Sequence, residues 1–486
     1  MQTDQHSRET EPAQVNARPS LAEITRVSVK VGLLSFGGPA AQISVMHQEF
    51  VENRKWLSED RFLHALNYCM LLPGPEAQQM ATYCGWLSGR MLGGLIAGLL
   101  FILPGAFAMA VVSYVYAAYA DTSVIAAIFY GVKAGVLAIV LQALLRIGKK
   151  ALKSRLAWII CGASFCALFF FSVPFPLVII GAGLLGLVLG SAPNTELADE
   201  DAPAAKASAA SSVRTLVVGL ALWGAPPLAA AVLLAPGNVL VEVAEFFSLL
   251  AVVSFGGAYA LLSYMAQVAV ETKAWLGAGE MLDGLGLAET TPGPLILVTQ
   301  FVGFLAGWRE PTPFSSLTGA CLAAAMTTWV TFAPSFLFVL TGAPWMERLR
   351  GNRKLAKALN AITAAVAGTI LNLAIWFAVN VLFAETRTLS YGALEVLWPD
   401  VTSLDPILAG IALLAAFLVC GKARHGDGAG GDGSARLSRQ DLTGMISGKQ
   451  VPSRRGGRPQ AAESSFSLPS FSFFPASSVS PSRSAS

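Results

Sequence analysis

The sequence predicts an all-α polytopic membrane protein built from two inverted-topology repeats whose helices are broken, either discontinuous or re-entrant. Three observations carry that reading. Of 486 residues, 54% are hydrophobic and 13% charged, with a mean hydropathy of +0.58, whereas charged residues make up about a quarter of an ordinary soluble chain. Apolar runs of about 20 residues, enough to cross a hydrocarbon core, recur from residue 21 to residue 420 and leave no room for a soluble domain. Finally, Leu71-Leu72-Pro73-Gly74-Pro75-Glu76 puts a Pro-Gly-Pro into a membrane-length run, and Glu289-Thr290-Thr291-Pro292-Gly293-Pro294 repeats it 219 positions later. The same gapless offset lays Ser35-Phe36-Gly37-Gly38 on Ser254-Phe255-Gly256-Gly257 and Trp56-Leu57 on Trp275-Leu276. Three landmarks in one register mark a duplicated unit.

Residues 1–20, polar and holding Pro12 and Pro19, read as a disordered cytoplasmic lead. The first repeat, 21–190, opens with a run at 22–46 cut by Ser35-Phe36-Gly37-Gly38-Pro39 and a second at 62–89 cut by Pro73-Gly74-Pro75. Continuous runs follow at 91–119, 122–146, 156–172 and 174–190. A polar linker, 191–213, and a linking span, 214–239, precede the second repeat, 240–420, with broken runs at 242–270 and 281–307 and continuous ones at 314–343, 358–383 and 404–420. The Gly- and Ser-rich tail, 421–486, has no apolar periodicity and is expected to be disordered. No cleavable signal is expected, because the first run carries charges and glycines and lacks a small-residue cleavage site.

Seven runs separate the starts of the two repeats, and an odd number inverts the second relative to the first. Loop charge gives the same answer. Arg146, Lys149, Lys150, Lys153 and Arg155 in one loop and Arg348, Arg350, Arg353, Lys354 and Lys357 in another mark both as cytoplasmic. Their repeat counterparts, 384–403 and 117–124, hold only Arg387 between them, as external loops should. Arg54, Lys55 and Arg61 dissent if the first two runs cross fully, but fall inside if both runs are re-entrant; the sequence leaves the two open. Both termini are expected in the cytoplasm.

A Gly-Gly-Pro or Pro-Gly-Pro within a membrane helix ends one half-helix and starts another, since proline lacks an N–H yet suits the first position of a helix. The free N–H groups and positive dipole end of the new half-helix form a cradle for an anion, and glycines let a tetrahedral oxyanion approach the backbone. In inverted-repeat carriers such breaks meet near the midplane and hold substrate there. Ser35, Gly37, Gly38, Gly74, Pro75, Ser254, Gly256, Gly257, Thr290, Thr291 and Gly293 are therefore the expected substrate-binding set. The plainer reading makes these glycines and prolines kinks and packing points. Lys133 joins the set because it sits too deep in its run to snorkel, and a dianion would offset its charge; the alternative is a structural pair with Glu76 or another carboxylate. Glu76, Asp283 and Glu289 are the candidates for proton coupling. Since Glu76 follows its break and the other two precede theirs, the copies are expected to share a cradle but not an acid.

Other features are read plainly. Six cysteines, Cys69, Cys84, Cys161, Cys166, Cys321 and Cys420, form no CxxC pair and fill apolar runs. His47 and His64 are interfacial, and no Cys/His spacing suggests a metal. Gly181-Ala182-Gly183-Leu184-Leu185-Gly186 fits a dinucleotide fingerprint but has no strand before it. The spaced glycines Gly85/Gly89 and Gly303/Gly307 suit close helix packing. No Walker-type loop occurs, no cofactor is expected, nucleic acid is not an expected partner, and a homo-oligomer is left open.

SFGGP followed by EFV, WLSEDRF and LLPGPE, then SFGGAYA and EMLDGLGLAETTPGPLILVTQFVGFLAG in the second half, together resemble the chromate ion transporter family in its long, two-domain form, over about residues 21–420. The resemblance implies a non-enzymatic carrier of chromate in the bacterial inner (plasma) membrane, with efflux driven by the proton-motive force and sulfate as the natural isostere, in contact with the lipid bilayer. A carrier for sulfate or another oxyanion, and a passive anion channel, are the alternatives. The charge pattern yields a direct expectation: reporter fusions at Lys150 and Asn352 should read cytoplasmic and fusions at Ala120 and Glu395 external, and opposite readings at Lys150 and Asn352 would refute inversion.

Overall fold

The computed structural model describes residues 19–70, 72–119, 122–190, 209–254, 258–343, 353–391 and 394–417. The lead before Pro19, most of the linker, Phe255, Gly256, Gly257, and everything after residue 417 lie outside those residues. Within them the chain is overwhelmingly helical, as expected.

The first copy runs α1 (Leu21–Leu34), α2 (Pro39–His47), a π-helical turn (Gln48–Asn53), α3 (Glu59–Cys69) and α4 (Glu76–Tyr119). Next come α5 (Ser123–Ala151), α6 (Arg155–Phe171), α7 (Phe175–Leu189) and α8 (Ala209–Leu233). The second copy runs α9 (Val239–Val253), α10 (Ala258–Ala266), a π-helical turn (Gln267–Thr272), α11 (Ala278–Thr290), a 3₁₀ turn (Leu295–Leu297), α12 (Val298–Arg309), α13 (Ser316–Gly342) and α14 (Arg353–Leu382). It closes with α15 (Pro406–Phe417).

Local chemistry sets the starts. Ser20 and Glu23 form a capping box on α1, Ser58 and Ser315 cap α3 and α13, and Pro39 opens α2. Shifted by 219 residues, α2 falls on α10 and the first π-turn on the second, end to end. The left-handed residues repeat too: Lys55 at φ 52° and Ala274 at φ 51°, Gly74 at φ 126° and Gly293 at φ 92°. One backbone plan is written twice.

The broken runs fold back instead of crossing. Lys30 Nζ meets Glu49 Oε1 at 2.6 Å although 19 residues separate them; a continuous helix would hold them about 28 Å apart. In the second copy, Lys273 pairs with Glu242 at 3.1 Å across the Ser254 break, and Arg309 with Glu280 at 2.7 Å across the Pro-Gly-Pro. Each of these pairs requires the chain to reverse between its partners. The α4 helix turns back as well, at Gly89 and Arg90, whose torsions are not helical. Gly85 consequently packs on Gly93 and Ala97. An equivalent hairpin joins α12 to α13, where Gly303 lies on Thr327 and Gly307 on Gly319 and Ala323.

Five helices are long and apolar enough to span a membrane, within α4, α5, α8, α13 and α14. Large apolar side chains such as Leu177, Val188, Val232, Leu233 and Phe417 face outward, which suits lipid. The glycines of the false dinucleotide fingerprint are contacts: Gly183 packs on Ile362 and Gly186 on Ala361 of α14. Cys69, Cys84 and Cys161 are buried and free, while Cys166 and Cys321 are exposed. One stretch departs from expectation. The loop 384–403 contains an antiparallel hairpin, β1 (Thr386–Tyr391) with β2 (Leu394–Pro399), formed by a β-branched and aromatic pattern too short to register beside membrane-length runs.

The α12–α13 hairpin closes only because Gly307 lacks a side chain, since a Cβ there would sit 2.5 Å from the Gly319 carbonyl oxygen. Gly307→Val should cost about 2 kcal/mol or more through overpacking and lower the yield of monodisperse protein in detergent. Gly135→Ala, which meets nothing within 4 Å, should leave the yield unchanged.

Candidate functional site

Where a membrane helix is interrupted, the freed peptide groups must find partners inside the protein. Here each copy supplies them to the other. The Gly74 N–H donates to the Ser254 carbonyl at 2.9 Å, and the Gly293 N–H donates to the Ser35 carbonyl at 2.8 Å. Exchanging the two copies, 219 residues apart, turns the first bond into the second. Positive φ at Gly74 and Gly293 aims both N–H groups across this crossing. Each Pro-Gly-Pro also rests on a small residue just after a proline in the other copy. Gly293 abuts Gly105, beside Pro104 of α4, and Gly74 abuts Ser335, beside Pro334 of α13.

The expected residues divide on inspection. Ser35 and Ser254 are buried at the crossing, but their hydroxyls turn back to Val31 O and Ala251 O, so their carbonyls do the bridging. Gly37 is left-handed, and its carbonyl accepts from Gln42 Nε2 at 2.8 Å; Gly38 caps α2. Pro75 is buried before α4, where Glu76 is half-buried. Thr291 is buried, whereas Thr290 is exposed and bonded back to Gly286 O; Glu289 is half-buried in the same last turn of α11. Gly256 and Gly257 lie outside the described residues.

Four residues emerge that sequence reasoning passed over. Gln42 bridges Gly37 O and Gly293 O, each at 2.8 Å, and so ties the first copy to the second. Gln78 and Gln79 open α4 fully buried, each with a side-chain Oε1 that has no hydrogen-bond partner. Ser335 is 1% exposed, and its Oγ is likewise unpaired. The available signal was a neutral polar residue within an apolar run, a pattern with nothing to mark it until the partner is known.

Lys133 is not brought to the crossing. Its Nζ lies 3.6 Å from Asp283 Oδ2 on α11, and Tyr116 of α4 donates to the same oxygen at 2.8 Å. Asp283 is 3% exposed, and its Oδ1 has no partner. One turn earlier Glu280 is held by Arg309. Ten residues of chain, about 15 Å at helical rise, separate Asp283 from Gly293. Lys133 and Asp283 therefore face each other at the middle of α11 and not at the break that follows that helix.

The chromate transporter family profile matches residues 22–187 and again 241–424. Among curated proteins, a chromate transport protein of Pseudomonas aeruginosa is 35% identical over 70% of this chain and 77% of its own length. A probable chromate transport protein of Synechococcus elongatus is 30% identical over 72% of this chain and 83% of its own. A chromate transport protein of Cupriavidus metallidurans is 26% identical over 81% and 92%. No solved structure matches the chain.

Removing one member of a buried ion pair strands the other's charge, which typically costs about 3–5 kcal/mol. Lys133 is 28% exposed and Asp283 4% at the side chain, so the cost is one-sided. Lys133→Ala should lower thermal stability in detergent clearly, Asp283→Asn less, and the double variant should be more stable than Lys133→Ala alone. Additive losses would mean that the pair is not coupled.

Proposed function

Because the chain belongs to the chromate transporter family, we propose that it is a secondary carrier that exports chromate across the bacterial inner membrane, coupled to the proton-motive force. The reciprocal bonding of the two Pro-Gly-Pro breaks to the two Ser breaks carries this reading, because it gathers interrupted backbone from both copies at one place, the arrangement that carriers use to hold substrate. Alternating access then amounts to movement of one copy against the other about that crossing.

Inversion of the copies is supported by span count and charge together. With the broken runs folded back, the crossing helices between the copies are α4 after its hairpin, α5, α6, α7 and α8, an odd number. The same reversals put the loop holding Arg54, Lys55 and Arg61 on the side where α1 begins, which removes the one objection from the positive-inside rule. Both termini are then cytoplasmic. Outward movement is assisted by an inside-negative potential, worth about 2.3 kcal/mol per charge per 100 mV and about twice that for a dianion.

Labelled chromate supplied to everted vesicles, with and without a pH gradient and with sulfate as competitor, tests the reading. Gradient-dependent accumulation is expected; flux indifferent to the gradient would indicate a channel, and sulfate outcompeting chromate would make it a sulfate carrier. Gly293→Val and Gly105→Val, which collide at the same contact, should each reduce uptake at least about tenfold, the effect of roughly 1.4 kcal/mol on the transport barrier, at unchanged membrane levels.

A further inference from the structure

The two breaks share a backbone plan but differ in chemistry. After Pro75, α4 begins directly as an α-helix, with the Gln79 N–H bonded to Pro75 O at 3.0 Å. The first-turn N–H groups of Ala77 and Gln78, both buried, have no intrahelical acceptor. After Pro294 the chain instead tightens into the 3₁₀ turn, which uses the Leu297 N–H on Pro294 O at 2.9 Å. The side chains diverge in the same sense. Gln79 and Ser335 border Gly74, with Gln79 Nε2 2.6 Å from where a Cβ would stand. Their counterparts at the second break are Val298 and Gly105, which offer no polar atom.

At the first break, then, donors and an acceptor converge. The N–H groups point out of the start of a half-helix that runs from Glu76 to the turn at Gly89, and Ser335 Oγ is buried, unpaired and directed at Gly74. Gln79 Nε2 is already committed to Pro73 O at 2.7 Å, which leaves Gln79 Oε1 buried with nothing to accept from. A fully deprotonated oxyanion would satisfy the donors and meet repulsion at that oxygen. One that keeps a hydrogen satisfies both, because a buried acceptor left unfilled is costly. Glu76 is the one charged residue of this half-helix, and α13 and α9 bring the uncharged Ser335 and Ser254 to Gly74. The second ionisation of chromate lies near neutral pH, whereas that of sulfate lies in strong acid, so a hydrogen-bond acceptor in the site separates two anions of the same shape.

Resting on the carrier reading of this crossing, we propose that the first break alone seats the oxyanion and takes it in singly protonated form, with Ser335 Oγ and the first-turn N–H groups donating to it and Gln79 Oε1 accepting from its hydroxyl.

The test uses the full chain in proteoliposomes with equal pH on both faces, following labelled chromate over a pH series. The KM for total chromate should rise about tenfold per pH unit on the alkaline side, as the competent fraction falls, and excess sulfate should leave the rate unchanged. Gln79→Leu should flatten that rise and let sulfate compete. Ser335→Ala should raise KM about tenfold or more at every pH. A pH-independent wild-type KM, sulfate competing as well as chromate, or a Gln79→Leu protein that keeps both the slope and the exclusion of sulfate would overturn the proposal. Should Gln79→Leu not reach the membrane, the wild-type pH series and sulfate arm still decide. Wild-type protein that moves no chromate at any pH would overturn the carrier reading itself, a different result from flux with a flat profile.

Discussion

Unsatisfied backbone at membrane depth costs several kcal/mol per group, and this chain interrupts its helices at four places. Two of the freed donors, at Gly74 and Gly293, are satisfied only by carbonyls from the opposite copy. That constraint explains much of the rest. Neither copy can complete its own breaks, so the two must dock, and the N–H groups reach across only from left-handed positions that glycine adopts without strain. The small residues Gly105 and Ser335 follow, since a bulkier side chain would push the Pro-Gly-Pro away from its acceptor. Gln42 reinforces the same junction by holding Gly37 O and Gly293 O together.

Much of the element map was legible in sequence, because a 219-residue offset repeats signals that act locally: proline at a helix start, glycine at a positive φ, serine at a cap. What stayed hidden depends on contacts between distant residues. Whether the broken runs cross or return is decided by pairs such as Lys30 with Glu49 and Arg309 with Glu280, which no periodicity announces. Lys133 was recognisable as a costly charge within an apolar run, but its partner lies 150 positions away on α11. The serines of the repeated Ser-Phe-Gly-Gly motif suggested hydroxyl ligands; the structure uses their carbonyls, because a hydroxyl in a helix can bond the preceding turn. The β1–β2 hairpin was missed because its strands, six residues each, are short against helices of membrane length.

Folding back also changes how charge must be read. Arg54, Lys55 and Arg61 follow a run that returns to its starting side, and their counterparts in the second copy, Lys273, Ala274 and Glu280, include an acid and hold no net charge. These positions of the same backbone loop are thus positive in the first copy and neutral in the second, as they should be if the copies face opposite sides of one membrane.

Comparing the copies residue by residue separates what duplication must keep from what it may lose. The positive φ angles, the π-helical turns and the cross-copy bonds recur, because every one of them answers the backbone's demand for partners, and that demand is equal in both copies. Side chains carry no such obligation. Gln42 corresponds to Leu261, Glu76 to Leu295, Gln79 to Val298 and His64 to Asp283, so the polar side chains at these positions near the crossing come from the first copy, while the buried Asp283 belongs to the second. The scaffold is thus symmetric in its peptide groups and asymmetric in its side chains. That division follows from one physical fact: in lipid, an unpaired peptide group is harder to tolerate than a changed side chain.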